Sequence, residues 1–383
     1  GLIQYNRRKQ KKCVENRREF DIMSIIEKPL QLQHLSLKNR IIRSAVHSFL
    51  ADTDGCMTDA EYDMYETLAK NGVGTIITGH CCVDPLGRAN PEQVNIYADV
   101  FTAQFRRAAE LVHAYDVRFI PQLNHAGPRA IDNDDLVDVV ARPLKKERHA
   151  RELTVEEIHH IEECFIDAAK RVNEAGCDGV QLHAAHSYLL SRFIDPLFNQ
   201  RTDEYGGSIE NRFRMTEEIV RGIKAACGED FPVLLKVNVD TKADDAEGYH
   251  EDMVYLLHRA KEIGVELVEF SGADFINQPK TATLYYLPQI LRLKKEVSDM
   301  PLSLVGGVRS LEDMEKVVSS GIDCVSLGRA LIAEPDFVKK ALAGGGKSIC
   351  VSCSRCFVLP HMHPGIRCIW IWKKERARQK KAA

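Results

Sequence analysis

Eight times in succession, a short run rich in Ile, Leu and Val in this 383-residue chain is followed by an amphipathic stretch. The apolar runs span 40–44, 74–78, 118–123, 179–182, 232–237, 267–270, 302–305 and 324–327. Each is too short for a helix and reads as a strand covered on both faces. The stretches that follow, around 59–71, 102–115, 154–175, 211–227, 252–263, 288–298, 310–320 and 336–343, repeat apolar residues at helical spacing. Thr58-x-x-Glu61 and Thr154-x-x-Glu157 read as capping boxes, Ser310 before Leu311-Glu312-Asp313 resembles one, and Pro335 sits where a first-turn proline is tolerated. Eight strand–helix units in a row predict an α/β fold, a (β/α)8 TIM barrel. A doubly wound nucleotide-binding sheet would need G-x-G-x-x-G after a strand, and the chain has none. Gly346-Lys347-Ser348 hints at a phosphate loop, but its leading glycine would fall on Ala341. Leu30, Leu32, Leu35 and Leu37 predict a hairpin ahead of the barrel.

In such a barrel the chemistry sits on loops that follow the strands. Three are long here: about 124–153, which includes Asn124-His125-Ala126-Gly127-Pro128-Arg129, the loop after strand four, and about 271–287. Strand four runs into His183, His186 and Tyr188. Imidazole can donate a hydrogen bond to an oxygen, and a phenol stays protonated near neutral pH. Together they can polarise a conjugated carbonyl and protonate the carbon beside it. A lone histidine there would be read as a satisfied loop residue; three polar side chains past one buried strand favour a site. Gly306-Gly307 follows strand seven and Gly328-Arg329 follows strand eight, where barrels commonly bind phosphate. The competing reading is that these glycines only make tight turns.

Charge narrows the function. The net charge is −3, yet residues 1–18 carry seven Lys/Arg against one Glu, and 373–381 six against one, leaving the body near −14. An acidic body argues against a nucleic-acid enzyme. The basic ends read as solvated, disordered runs. The sequence shows neither a secretory signal nor an apolar run long enough to cross a membrane, so a cytoplasmic protein with reduced thiols is expected. Of twelve cysteines, Cys350, Cys353, Cys356 and Cys368 cluster at the spacing of a four-thiolate metal site; His361 and His363 lie between the last two.

Asp195-Pro196-Leu197-Phe198-Asn199-Gln200-Arg201-Thr202-Asp203-Glu204-Tyr205-Gly206-Gly207-Ser208-Ile209-Glu210-Asn211-Arg212, with His183-x-x-His186-x-Tyr188, closely resembles the Old Yellow Enzyme family of FMN-dependent oxidoreductases. The resemblance runs from about Pro29 to Arg329. It implies FMN held by Gln122, by Lys236 where many relatives have arginine, by Ser44, Ala45 and His47 after strand one, and by Gly306, Gly307, Gly328 and Arg329 at the phosphate. His47 resembles the 2,4-dienoyl-CoA reductase branch. There, and in trimethylamine dehydrogenase, similarly spaced cysteines hold a 4Fe-4S cluster; structural zinc or empty thiols are the alternatives for this chain. The implied domains are a basic tail (1–22), an FMN-binding barrel (23–345) and a cysteine-rich extension with a basic tail (346–383). The implied reaction is NAD(P)H-dependent reduction of activated alkenes: hydride from flavin N5 to the β-carbon, the carbonyl held by His183 and His186, and a proton from Tyr188. An iron–sulfur electron-transfer flavoprotein or amine dehydrogenase is the runner-up, and a phosphate-binding lyase or isomerase barrel without flavin the reading from another class. A small-molecule substrate is expected, with no nucleic-acid or membrane partner; a homo-oligomer stays open.

Overall fold

The computed structural model describes residues 23–131, 133–145, 147–358 and 364–382, the side chains of 381 and 382 apart. The expected basic tail at 1–22, and His361 and His363, lie outside the described residues. Eight parallel strands close into a barrel in chain order. They are β1 (Ile41–Arg43), β2 (Thr75–Cys82), β3 (Arg118–Asn124), β4 (Val180–Ala184), β5 (Val233–Asn238), β6 (Val265–Ser271), β7 (Leu302–Val305) and β8 (Cys324–Leu327). Nearly every strand residue is buried, which is why the strands read as apolar runs. The Leu30–Gln31 and Ser36–Leu37 hairpin packs Leu32, Leu35 and Leu37 against Ile42, Ile77, Ile120, Leu234, Leu267 and Cys324. This second apolar layer is separate from the main core, which lies between barrel and helices.

The helices that follow the strands at the expected places are α1 (Asp59–Lys70), α2 (Thr102–His113), α3 (Val155–Glu174), α4 (Ile209–Cys227), α5 (Ala246–Glu262), α6 (Leu287–Glu296), α7 (Leu311–Ser319) and α8 (Phe337–Leu342). Thr154 forms the expected capping box: its Oγ1 accepts from Glu157 N at 3.2 Å while Glu157 accepts from Thr154 N at 2.9 Å. The Ser310 hydroxyl likewise accepts from Asp313 N at 3.1 Å.

Several details differ from expectation. Thr58 makes no capping box: its hydroxyl donates to Leu50 O, and Glu61 is buried against Ser48 and Tyr65. Helix α5 starts six residues early because Asp245 caps it, accepting from Gly248 N at 2.8 Å. The long loop after β3 folds into a three-stranded sheet of Leu136–Asp138, His149–Glu152 and Arg142–Pro143. The basic run near the C-terminus belongs to a helix, Ile369–Ala382. Among the described residues no helix is long and apolar enough to cross a membrane.

Candidate active site

The C-terminal ends of the strands surround a cavity of about 1100 Å³. His183, one residue before the end of β4, lies within it, 3% exposed. The chain then reverses sharply: His186 and Ser187 both have φ of 61°, a left-handed backbone that costs a non-glycine residue about 1–2 kcal/mol. Hydrogen bonds hold the turn. Asn238 Oδ1 accepts from His186 N at 3.2 Å, and Arg129 donates to His186 O at 2.6 Å. The reversal brings the Tyr188 ring 4.9 Å from that of His183, with His186 5.2 Å from His183 and bonded to Ser271 Oγ at 2.8 Å. Strand β2 carries a register shift between Ile77 and His80 and adds a third imidazole, His80, 3.2 Å from the Tyr188 hydroxyl.

Burial pushes His80, His183 and His186 well below the ordinary histidine range, helped by the charges of Lys236 and Arg129. These imidazoles are therefore neutral near pH 7. Burial raises the Tyr188 phenol, against the pull of Arg129, whose guanidinium sits 4.9 Å from the ring centre. His183 Nδ1 is buried without a hydrogen-bond partner among the described residues.

The barrel floor supplies the other groups. Lys236 Nζ donates to Ser44 Oγ at 2.8 Å and pairs with Glu269 at 2.7 Å. The Ser44 and Ser326 hydroxyls donate to the two Glu269 oxygens at 2.7 and 2.8 Å. An ammonium has three donors, so one remains for the cavity. Gln122 donates to Gln181 Oε1 at 2.7 Å. Half-buried His47 is pushed down to about 4 by burial and meets Asn90 Oδ1 at 2.9 Å.

At the far end, Gly306 and Gly307 adopt φ of 157° and 72° against Tyr285 and Tyr286; a Cβ on Gly307 would lie 2.8 Å from Leu284 N. Packing alone therefore requires glycine at 307. Gly328 is open: a Cβ there would meet only Val46, at 3.7 Å. Arg329 donates to Tyr285 OH at 2.6 Å and Ser354 Oγ at 2.7 Å, and no carboxylate pairs with it among the described residues. An unneutralised guanidinium beside an open glycine suits a phosphate. The spare lysine proton and Gln122 suit the edge of a flavin ring, and the orphaned His183 nitrogen suits a ligand oxygen. These residues fit FMN.

Every residue singled out for catalysis or flavin binding lines this one cavity. Cys350, Cys353, Cys356 and Cys368 line a second, small apolar cavity, and Arg329 and Cys350 face both. A single tetrahedral zinc sets its sulfurs about 3.8 Å apart. The triplets of His, Cys, Asp and Glu whose ligand atoms all lie within 4.8 Å do not include these thiols.

The NADH:flavin oxidoreductase / NADH oxidase family model matches residues 26–346. The chain belongs to that family. It is 34% identical to an NADH oxidase of Thermoanaerobacter brockii over 338 residues, 85% of this chain and 52% of the relative. It is 30% identical to an NADPH dehydrogenase of Bacillus subtilis (strain 168) over 316 residues, 82% of this chain and 93% of that one. A solved 2-naphthoyl-CoA reductase complex superposes with a TM-score of 0.78 at 24% identity, covering 85% of this chain and 54% of that one, a likeness of fold. The chain thus spans about half the length of the NADH oxidase.

The stretch that most clearly marks this Old Yellow Enzyme family, 195–212, contributes nothing to the cavity wall. It braces the loops. Arg201 donates to Val139 O and Leu153 O at 2.9 and 2.8 Å, Asn199 to Phe193 O and Tyr205 O, and Arg212 pairs with Asp252 at 2.6 Å. The sequence reading missed His80, Gln93 and Glu269. The available signal was a histidine placed, like His183, at the end of a buried strand; for Glu269 it was a lone acid within an apolar run.

Proposed function

We propose that the chain is an FMN-dependent NAD(P)H oxidoreductase that reduces alkenes conjugated to a carbonyl. The observation that carries this reading is that Tyr188, His183 and His186 line one cavity together with Lys236, Gln122 and Ser44, with His183 in register beside Lys236 on the neighbouring strand. FMN bound there would supply hydride chemistry, taking two electrons from NAD(P)H and passing them to the β-carbon of the alkene. His183 and His186 bind the carbonyl oxygen; being neutral, they stabilise negative charge as it develops on that oxygen. Tyr188 gives its proton to the α-carbon. Phe275, 4.6 Å from the His186 ring, helps to exclude water.

The Tyr188→Phe variant tests the reading. Reduction of bound flavin by NAD(P)H should survive, while enone turnover falls by about 10²–10⁴. Unchanged enone turnover would remove Tyr188 from the chemistry.

A second role is favoured by the cysteine cavity: a 4Fe-4S cluster on Cys350, Cys353, Cys356 and Cys368. The thiols ring one pocket more widely than a single zinc would require. The kinship this suggests with the cluster-bearing 2,4-dienoyl-CoA reductase branch is part of the same proposal.

A further inference from the structure

Nε2 of His80 lies 3.2 Å from the Tyr188 hydroxyl oxygen, and groups behind it decide which of the two donates. Ala89 N donates to Gln93 Oε1 at 2.7 Å. The Gln93 amide nitrogen therefore faces His80, 2.7 Å from Nδ1 and 3.1 Å from the His80 carbonyl. Turning this amide over would set its nitrogen against the Ala89 N–H and its oxygen against the His80 carbonyl, losing two of the three bonds and replacing each with a repulsive contact. Nδ1 of His80 is thus an acceptor. A neutral imidazole carries one proton, so that proton is on Nε2. Nε2–H donates to the Tyr188 oxygen, and the phenol proton is left to point into the cavity. Gln93 is fully buried and His80 is 7% exposed, so water does not compete for the bonds between these two residues.

We propose that His80 is the positioning residue for Tyr188: its Nε2–H fixes the phenol oxygen, presents the phenol proton to substrate, and stabilises the oxygen when that proton leaves. The inference rests on the role proposed for Tyr188. As the Tyr188 O–H bond breaks, a C–H bond forms at the α-carbon and the electron pair stays on the phenolate oxygen. That oxygen keeps the His80 hydrogen bond beside the Arg129 guanidinium. The chain of donors ends at a backbone amide, so His80 does not carry the proton away; solvent returns it to Tyr188. The register shift in β2 is what aims His80 here. At its centre, a Cβ on Gly79 would come 3.0 Å from Val46 O.

The test compares His80→Phe, which removes the donor, with His80→Gln, which keeps one, in the FMN-loaded full chain. A hydrogen bond to a charged group is worth a factor of about 10–100 in rate. His80→Phe should slow enone reduction by about that factor and leave flavin reduction by NAD(P)H unchanged; His80→Gln should recover most of the loss. Independently of turnover, the Tyr188 phenol can be titrated by its tyrosinate absorbance, taken as the difference from Tyr188→Phe. Its midpoint should rise by about 1–2 pH units in His80→Phe. An unmoved midpoint overturns the proposal, as does equal loss of both half-reactions in the two variants. A moved midpoint in a protein that reduces no enone supports the hydrogen bond and refutes the proposed reaction instead.

Discussion

Glu269 and Lys236 form a buried ion pair at the centre of the barrel, and Glu269→Gln removes one charge with almost no change of volume. Breaking a buried pair from one side typically costs about 3–5 kcal/mol, because the remaining charge stays desolvated. Unfolding entropy of about 2.1 cal/mol/K per residue over roughly 320 barrel residues converts 3–5 kcal/mol into a fall in Tm of about 4–8 °C. Lys236→Met combined with Glu269→Gln should recover most of the loss, since no charge is then left unpaired. Thermal melts at matched flavin content measure all three proteins. A Glu269→Gln melt within about 1 °C of the parent, or a double variant no more stable than Glu269→Gln, would refute the reasoning.

Replacing His183 and His186 together by Ala should abolish the long-wavelength charge-transfer band that phenolates give over bound flavin; a persistent band at normal affinity means the histidines bind elsewhere. Anaerobically prepared protein should carry about four iron per chain, and Cys353→Ser should lose them while keeping flavin; stoichiometric zinc without iron would contradict the cluster. Hydrogen bonding to Asp178, 2.6 Å away, raises the His113 imidazole above its ordinary value. The folded state therefore favours its protonated form, so its contribution is complete below about pH 6.5 and fades as the pH climbs through the raised value. His113→Gln should flatten this part of the stability profile between pH 6 and 8, by under about 1 kcal/mol for a partly exposed pair, and an unchanged slope would remove His113 from it.

The barrel was legible because strands buried on both faces leave apolar runs, and because helix boundaries such as Thr154 and Ser310 carry their own caps. Strand β2 was read too short. It continues through Gly79, His80, Cys81 and Cys82, where a polar residue and a register shift break the apolar pattern. That one misreading hid His80. Thr58-x-x-Glu61 misled for a related reason: a motif of local hydrogen bonds was overridden by a tertiary demand for a buried carboxylate beneath Ser48 and Tyr65. His183, His186 and Tyr188 were readable because they follow one strand, whereas the Lys236–Glu269 pair and the Gln93–His80 bond join residues far apart or in different segments, which no local pattern encodes. Arg329 was expected to face phosphate; its bonds to Tyr285, in the long loop after β6, and to Ser354, in the C-terminal extension, join distant segments whose positions the sequence did not reveal.

Arg329 and Cys350 form a partition between two compartments. The two sides share the atoms of these two residues, which gives occupancy of one a physical route to binding in the other. Thermodynamic reciprocity then applies: if filling the thiol pocket tightens flavin binding by some factor, bound flavin must tighten the hold on whatever fills the thiol pocket by the same factor. Neither affinity is therefore a constant of its own site. With the proposed cluster and flavin both bound and favouring each other, a chelator would be felt as flavin loss, and a flavin-stripping wash as a leak of metal, through a single arginine and a single sulfur.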